Sequence, residues 1–145
     1  MVAQGNMKKK VLVGGCFDIL HYGHIHFLRK AKRLGSHLTV ALESDANIKR
    51  LKGKGRPIHP QSQRRQMLES LIFVDKVIAL PDRMKDEDYA KLVMKLKPNI
   101  VAVTKGDPIL KKKKAHAAHV GAEVIEIPKI RVSSTTQIAK LLGLD

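Results

Sequence analysis

The residues best suited to chemistry lie in the run GGCFDILHYGH, residues 14–24, where His21 and His24 flank Gly23. Histidines three positions apart share one face at the start of a helix. The helix dipole there favours a neutral imidazole, which still donates a hydrogen bond to a phosphate oxygen. Gly23 has no side chain, so a phosphate could come close to the backbone. The spacing therefore places both imidazoles where each could donate a hydrogen bond to a bound phosphate.

Two other interpretations of this histidine pair are a metal site and a solvated helix start. A catalytic zinc site usually has three protein ligands. The lone cysteine, Cys16, precedes the turn and does not share the helical face of the histidines. His26 breaks the three-residue spacing, and we treat it as structural.

The segment between Glu43 and Pro60 is rich in cations and contains Gly53 and Gly55. Glycines would let such a segment close over a ligand, and the cations would attract phosphate. The competing interpretation is a solvated run of charge. The cationic residues are Lys49, Arg50, Lys52, Lys54 and Arg56.

Two further segments carry polar residues suited to a nucleotide. The hydroxyl residues of SSTT, residues 133–136, precede the last apolar periodicity and predict a helix start that binds phosphate, with Arg131 adding a charge. Asp107 follows an apolar run, and its carboxylate could accept ribose hydroxyls or a base amino group. An Asp-Pro turn is the alternative explanation for Asp107.

These segments lie between the elements of a regular alternation of five predicted strands and five predicted helices. The pattern predicts an α/β fold, a Rossmann-like doubly wound, mostly parallel five-stranded sheet with helices on both faces. We expect one domain over residues 1–145, with Ser44–Pro60 as the only long loop. The predicted strands are Lys9–Gly15, His37–Leu42, Val74–Leu80, Asn99–Thr104 and Ala122–Ile127. The predicted helices are Tyr22–Leu34, Gln61–Leu71, Asp86–Leu96, Leu110–Val120 and Thr135–Leu142.

Ligands of such sheets bind beyond the carboxyl ends of the strands. The segments that follow the predicted strands should therefore form the site. They are Gly14–Gly23, Glu43–Pro60, Thr104–Pro108 and Lys129–Thr136.

Composition limits the class of protein. No stretch is long and apolar enough to span a membrane or to act as a signal peptide, so we expect a cytoplasmic protein with no membrane partner. The net charge of +15 attracts polyanions, but aromatic residues are only 3% and Trp is absent, which argues against nucleic acid as the partner. We interpret Lys111–Lys114, with His116 and His119, as a solvated basic helix face.

Four motifs in order resemble the cytidylyltransferase-like nucleotidyltransferases, the branch of the adenylyl- and cytidylyltransferases with an HxGH signature. GCFDILHYGH resembles that signature, and RLKGKGRPIHPQSQRRQMLESLIFVDKVI resembles the lysine loop with the helix and strand after it. LKPNIVAVTKGD resembles the fourth strand, and RVSSTTQI resembles the final loop. The resemblance covers almost the whole chain apart from the first residues and the helix from Leu110.

The resemblance implies roles for these residues. His21, His24 and Lys52 are implied as catalytic, because they would stabilise charge on the α-phosphoryl group and the departing pyrophosphate, without a covalent intermediate. Asp18 is implied to lie near the acceptor or a metal ion. The implied nucleotide-binding residues are Gly15, Cys16, Phe17, Gly23, Arg64, Asp107, Arg131, Ser134, Thr135 and Thr136.

The motifs also bear on the substrates. GCFDILH, LKGKGRPI and TKGD are most similar to the adenylyltransferase that makes ADP-sugars from heptose phosphate, so we expect AMP transfer from ATP to a sugar-phosphate acceptor. Adenylation of FMN, as in archaeal FAD synthases, is one alternative, and CTP with glycerol 3-phosphate is another. The resemblance implies Mg²⁺ with the triphosphate and a homodimer. A basic nucleic-acid-binding module on the same fold is the non-enzyme alternative.

Overall fold

The predicted alternation of strands and helices is present in a computed structural model, which describes residues 9–131 and 135–143, apart from the side chain of Thr135. The strands are β1 (Lys10–Gly15), β2 (His37–Leu42), β3 (Lys76–Ala79), β4 (Ile100–Thr104) and β5 (Glu123–Ile127). The helices of the described ranges are α1 (Tyr22–Arg33), α2 (Asp45–Lys52), α3 (Gln61–Glu69), α4 (Asp86–Leu96), α5 (Leu110–His119) and α6 (Thr135–Leu141).

The strands form one sheet in the order β3-β2-β1-β4-β5, and every neighbouring pair is parallel. The central strand β1 pairs with β2 from Lys10↔His37 to Gly15↔Leu42. It pairs with β4 at Val11↔Ile100. Since β2 and β4 lie on opposite sides of β1, the strand order reverses there, and a crevice opens at the carboxyl ends.

Apolar residues bury both faces of the sheet, as a doubly wound fold requires. Val11 and Val13 point to one face, where they pack with Leu28 of α1. Leu12 points to the opposite face and packs with Val93 of α4. Beside that second group, Val101 and Val103 of β4 pack against α5. The predicted Rossmann-like sheet with helices on both faces is confirmed.

Helix α2 corrects the prediction that Ser44–Pro60 is a loop. The Ser44 hydroxyl caps the helix by accepting a hydrogen bond from the Asn47 amide, at 3.1 Å. The helix ends at Gly53, whose φ of 96° favours glycine. Only Ile48 is buried in this helix, so the sequence shows too few apolar positions for a helical period.

No helix within the described ranges is both long and apolar enough to cross a lipid bilayer. The longest of them, α1, has 12 residues, whereas a bilayer needs about 20.

Candidate active site

A cavity of about 400 Å³ opens at the carboxyl ends of β1, β4 and β5. The end of β1, the loop after it and the first half of α1 together supply most of its wall, and Lys52 closes one side. The ends of β4 and β5 supply the opposite side. The lining residues are Gly14, Gly15, Cys16, Phe17, Asp18, His21, Gly23, His24, His26, Phe27, Lys52, Thr104, Pro128, Lys129 and Ile130.

Phe17 anchors the loop that carries the histidines. Its φ is +46°, and its side chain is only 6% exposed. The ring packs edge-on against His24, with 5.3 Å between the centroids. A Cβ on Gly15 would lie 2.8 Å from this ring, so position 15 must lack a side chain for the ring to fit.

His21 and His24 cap the first turn of α1 together. Nδ1 of His21 accepts a hydrogen bond from the Gly23 amide at 3.1 Å, and Nδ1 of His24 accepts one from the His21 amide at 3.3 Å. The rings stack with 3.9 Å between their centroids. Because both Nδ1 atoms accept hydrogen bonds, the proton of each neutral ring lies on Nε2. The cavity is therefore offered two Nε2–H donors.

Both imidazoles are held in the neutral form. Burial, with smaller effects of His21 and Lys52, lowers the pKa of His24 from 6.5 to about 3. Burial and the charge of Lys52 also lower the pKa of His21. Neutral donors next to a lysine suit a triphosphate, since they bind its oxygens without carrying a titratable charge at neutral pH.

Lys52 reaches the cavity as the last residue of α2. The helix begins with Asp45 and has Lys49, Arg50 and Lys52 in its last turn, which complements the helix dipole at both ends. Lys49, Arg50 and Lys54 are exposed but do not line the cavity. The structure thus brings one cation of this segment to the histidines.

Asp18 fixes the segment that follows α2. Its buried carboxylate accepts hydrogen bonds from the Ile58 amide at 2.7 Å, the His59 amide at 3.0 Å and Arg56 Nε at 3.0 Å. Burial opposes ionisation, but these hydrogen bonds outweigh it and lower the pKa of Asp18. Arg56 is only 5% exposed and pairs through Nε with Asp18, while its Nη2 is buried without a hydrogen-bond partner among the described residues. Within the cationic segment, Arg56 therefore forms an internal ion pair.

Arg64 lies behind the cavity wall, and its guanidinium is used within the protein. It donates to the carbonyl oxygens of His59, Cys16 and Glu43 at 2.9, 2.8 and 3.0 Å. It also pairs with Asp45 Oδ1 at 2.6 Å. The side chain is fully buried and does not line the cavity, so its contribution is to hold the ends of β1 and β2 and the start of α2 together.

Asp107, Arg131 and Thr136 do not line the cavity. The carboxylate of Asp107 accepts a hydrogen bond from the Ile109 amide at 2.8 Å and pairs with Lys113 at 2.5 Å. Arg131 and Thr136 are exposed and do not line the cavity. Ser134 and the side chain of Thr135 fall outside the described part of the chain. Nucleotide contacts by these residues remain predictions.

The predicted solvated face of α5 is only partly present. Lys111, Lys112 and Lys114 are exposed. Lys113 instead pairs with Asp107, and His116, 13% exposed, lies 3.1 Å from Asp86 of α4. Lys113 and His116 therefore point toward acidic partners elsewhere in the fold. A run of lysines in the sequence does not show which of them do so.

Several lining residues were not predicted as site residues. His26, which we treated as structural, lies in the wall, one turn after Tyr22 on α1. Thr104 and Lys129 also line it, at the ends of β4 and β5. Both belong to segments that the carboxyl-edge rule predicted as part of the site, Thr104–Pro108 and Lys129–Thr136, although neither was named as an individual site residue.

The walls offer no evident metal cage. Nowhere in residues 9–131 and 135–143 do three His, Cys, Asp or Glu side chains come together in a way that could hold a metal ion.

A parallel sheet with a crevice at the strand reversal, and neutral histidines at the start of the first helix, defines a nucleotidyltransferase-like α/β domain. A model of the cytidylyltransferase-like family matches residues 12–140. The chain belongs to that family, which confirms the resemblance seen in the motifs.

Two named groups are represented among the similar proteins. The bifunctional protein HldE of Campylobacter concisus is 41% identical over 141 residues, which cover 97% of this chain and 28% of that protein. HldE of Campylobacter jejuni strain 81116 is 50% identical over 97 residues, 66% of this chain and 20% of that protein. The chain thus spans only about a fifth to a quarter of these relatives. An FAD synthase of Pyrococcus abyssi is 37% identical over 141 residues, 95% of this chain and 93% of that protein.

Solved structures agree with the fold. The lipopolysaccharide core biosynthesis protein from Thermoplasma volcanium is 28% identical with a TM-score of 0.71, over 85% of this chain and 98% of that one. Pantothenate synthetase from Thermus thermophilus, 13% identical with a TM-score of 0.62 over 86% of this chain and 57% of that one, shares the fold.

Proposed function

We propose that this chain transfers AMP from ATP to a phosphate-bearing acceptor such as a sugar phosphate and releases pyrophosphate. The observation that carries the proposal is the pair of neutral, stacked imidazoles that cap α1 beside Lys52. Both Nδ1 atoms are occupied by backbone amides, so each Nε2–H is left to bind a phosphate oxygen.

The reaction follows from this geometry. An oxygen of the acceptor phosphate attacks the α-phosphorus of ATP, and a new P–O bond forms. The bond from the α-phosphorus to the bridging oxygen breaks, and pyrophosphate leaves with the electron pair. Negative charge grows on the leaving oxygens, where His21, His24 and Lys52 stabilise it. No side chain needs to form a covalent bond with the nucleotide.

Mg²⁺ would enter as the counterion of the triphosphate. Phosphate oxygens hold this ion in many nucleotide sites together with one or two carboxylates and water. It would neutralise part of the charge of ATP, while the histidines and Lys52 orient the phosphates.

Two acceptor classes have specific support. The HldE relatives and the similarity to the adenylyltransferase that makes ADP-sugars favour a sugar phosphate. The relative named FAD synthase, which this chain covers almost completely, supports FMN as the second candidate. Phe17 lines the cavity but is only 6% exposed and packs edge-on against His24, which leaves little of its ring for a flavin; with the HldE relatives, this leads us to place the sugar phosphate first.

The experiment is a pyrophosphate-release assay with each of four nucleoside triphosphates, against a heptose 1-phosphate, FMN and glycerol 3-phosphate. We expect turnover with ATP and the sugar phosphate. Turnover with FMN, or with CTP and glycerol 3-phosphate, would replace the acceptor but keep the reaction. No release with any pair, together with tight salt-dependent binding of DNA or RNA, would support a nucleic-acid-binding module instead.

We also propose a homodimer, on the resemblance to the family. Sedimentation equilibrium of the purified chain tests this directly. A mass of twice 16.2 kDa is expected, and a single-chain mass at concentrations used for the assay would contradict it.

A further inference from the structure

Glu43, at the end of β2, carries a carboxylate without an ion-pair partner among the described residues; it does not line the cavity itself, but its backbone is bonded to residues that do. The oxygens of Glu43 accept a hydrogen bond from the Tyr89 hydroxyl, 3.2 Å from each, and Oε1 also accepts one from the Ser44 amide at 3.3 Å. Within the described ranges, no Lys, Arg or His nitrogen lies within 4.0 Å of it. A carboxylate offers about four acceptor positions, so Glu43 retains capacity for another donor.

The backbone of Glu43 is fixed to the cavity wall. Its amide donates to the carbonyl oxygen of Gly15 at 3.0 Å. Arg64 Nη1 then joins the carbonyl oxygens of Glu43 and Cys16, at 3.0 and 2.8 Å. Gly15 and Cys16 both line the cavity. The position of Glu43 relative to the reacting centre is therefore set by rigid backbone contacts.

Lys52 and Glu43 both lie within electrostatic reach of Cys16, which lines the cavity. Burial raises the pKa of its thiol, the charges of Lys52, Arg64 and Arg56 lower it, and the charge of Glu43 raises it. Lys52 acts from the end of α2, and Glu43 acts from the end of β2.

Tyr89 of α4 holds the Glu43 side chain. Burial, followed by the charge and the hydrogen bond of Glu43, raises the pKa of Tyr89 to about 12. The phenol therefore stays protonated at neutral pH and remains a donor to the carboxylate. The ring packs with the apolar group under α4, which restricts where the hydroxyl can point.

Charge decides which part of an acceptor Glu43 can meet. A carboxylate repels a phosphate but accepts hydrogen bonds from hydroxyl groups, and hydrogen bonds to a charged group are stronger than those between neutral groups. The side of the cavity toward β4 and β5 carries Thr104 and Lys129, whereas Glu43 lies on the β2 side of β1. The acceptor's phosphate would therefore be favoured on the side of Lys129, and its uncharged hydroxyl groups on the side of Glu43.

We propose that Glu43, oriented by Tyr89, recognises a hydroxyl group of a polyol or sugar acceptor and so selects the acceptor. This inference rests on the proposed adenylyl transfer. Glu43 is the group that touches the substrate, and Tyr89 is a positioning residue.

The test compares steady-state kinetics of Glu43→Gln, Tyr89→Phe and the wild type with the panel acceptor that reacts and with its analogues that lack single hydroxyl groups. Glu43→Gln should raise the KM for the acceptor about tenfold, since it removes a hydrogen bond to a charged group. The KM for ATP should stay the same. Tyr89→Phe should raise the acceptor KM less, about threefold, because the carboxylate remains but is no longer oriented.

The deoxy analogues distinguish recognition from a general disturbance. With the analogue that lacks the recognised hydroxyl, the wild type should have the same raised KM that Glu43→Gln has with the full acceptor. The KM of Glu43→Gln for this analogue should be no higher than that of the wild type. Glu123→Gln, at the amino end of β5 and exposed, is the matched control and should change neither KM.

Three results would overturn the inference. An unchanged acceptor KM in Glu43→Gln would exclude the contact, and equal increases in both KM values would indicate a structural effect. The inference would also be contradicted if Glu43→Gln raised the KM by the same factor for every deoxy analogue as for the full acceptor. Absence of turnover by the wild type would instead refute the proposed function, and the inference with it.

Discussion

His24 is a neutral hydrogen-bond donor because its environment acts on both ring nitrogens. The His21 amide occupies Nδ1, and burial next to Phe17, His21 and Lys52 disfavours a second proton. The same atoms therefore cap the helix and prepare the donor. A substitution that keeps the cap but removes the Nε2–H donor would therefore test the chemistry of His24 without disturbing the loop.

His24→Asn is designed for that separation. The Asn carboxamide can supply an acceptor near the position of Nδ1 and keep the cap, but it has no group at Nε2. We expect kcat to fall at least about a hundredfold, as for loss of one donor to a developing charge, with the free energy of unfolding changed by less than about 1 kcal/mol. His24→Ala should lose activity equally.

Pyrophosphate release and urea unfolding measure both quantities. His119→Asn, on exposed α5 surface, is the control and should retain full activity. Near-normal turnover by folded His24→Asn would remove His24 from the mechanism.

The low pKa of His24 predicts how stability depends on pH. The unfolded chain binds a proton near pH 6.5, whereas the folded chain resists it until about pH 3. The contribution of His24 to stability is therefore present above pH 6.5 and is lost as the pH falls from 6.5 toward 3. Between pH 7 and 4.5, the wild type should lose more unfolding free energy than His24→Asn.

Urea unfolding across that range provides the measurement. The range stays above the usual pKa of Asp18 and Asp75, whose lowered values act only at more acid pH. If the free energy of unfolding changed with pH in the same way in the wild type and in His24→Asn, the pKa of His24 would not be lowered in the folded chain.

Residue chemistry could be predicted from sequence only where the partners are local. His21, Gly23 and His24 lie within four positions, so their joint placement in the cavity followed from spacing. Glu43 and Tyr89 are 46 positions apart, and no local pattern marks their contact. Arg64 was predicted from the motif resemblance, but its burial behind the wall depends on carbonyl oxygens of Cys16 and Glu43, 48 and 21 positions away.

At the scale of elements, α2 places the one lysine of the cationic segment that reaches the cavity. Lys52 is fixed at the end of a short helix whose start depends on Ser44 and whose only buried residue is Ile48. Asp18 and Arg56 hold the chain that follows. A short helix with so little burial owes much of its stability to its cap.

Ser44→Ala should loosen this helix. Loss of the cap to Asn47 should lower the free energy of unfolding by about 1 kcal/mol and raise the KM for ATP, because Lys52 is then less well placed. Thermal unfolding and ATP titration at saturating acceptor test this. Ser62→Ala, an exposed serine in α3, is the matched control. Loss of stability with an unchanged KM for ATP would separate α2 from phosphate binding.

A strand or helix could be predicted from the sequence where its buried residues recur at a regular spacing. Strand β1 alternates between two apolar groups, and α1 buries Leu28 and Ala31, so both were predicted nearly to their observed ends. Helix α2 buries one residue and was missed. Ser44 and Gly53 were available as start and stop signals, but without an apolar period they also suit a loop.

At the scale of the whole molecule, the net charge of +15 has no matching negative patch in the cavity wall, where Asp18 is already paired. The resulting positive field should draw the triphosphate toward the site. The exposed lysines of α5 lie outside that wall and contribute to attraction without contact.

This separation predicts two different salt effects. The KM for ATP should rise severalfold between about 50 and 300 mM salt, because screening shortens the reach of the field. Changing Lys111, Lys112 and Lys114 together to Gln should weaken duplex DNA binding and its salt slope but leave the KM for ATP within about twofold. Filter binding and the release assay measure the two. Loss of ATP affinity equal to the loss of DNA binding would place α5 in the nucleotide site.

The global fold was predictable because strand and helix alternation leaves few topologies for a parallel sheet. Strand order fixed the edge where ligands bind, and the cavity lies at that edge. Which residues after the strands enter the cavity was less predictable, because Asp107 turns back to Lys113 while Thr104 stays in the wall.

The most direct measurement is a crystal structure of the chain with Mg²⁺ and a non-hydrolysable ATP analogue. The account predicts phosphate oxygens about 2.7–3.2 Å from Nε2 of both His21 and His24, with Lys52 on the same phosphates. Phosphates bound elsewhere, with the two imidazoles facing only protein, would contradict it.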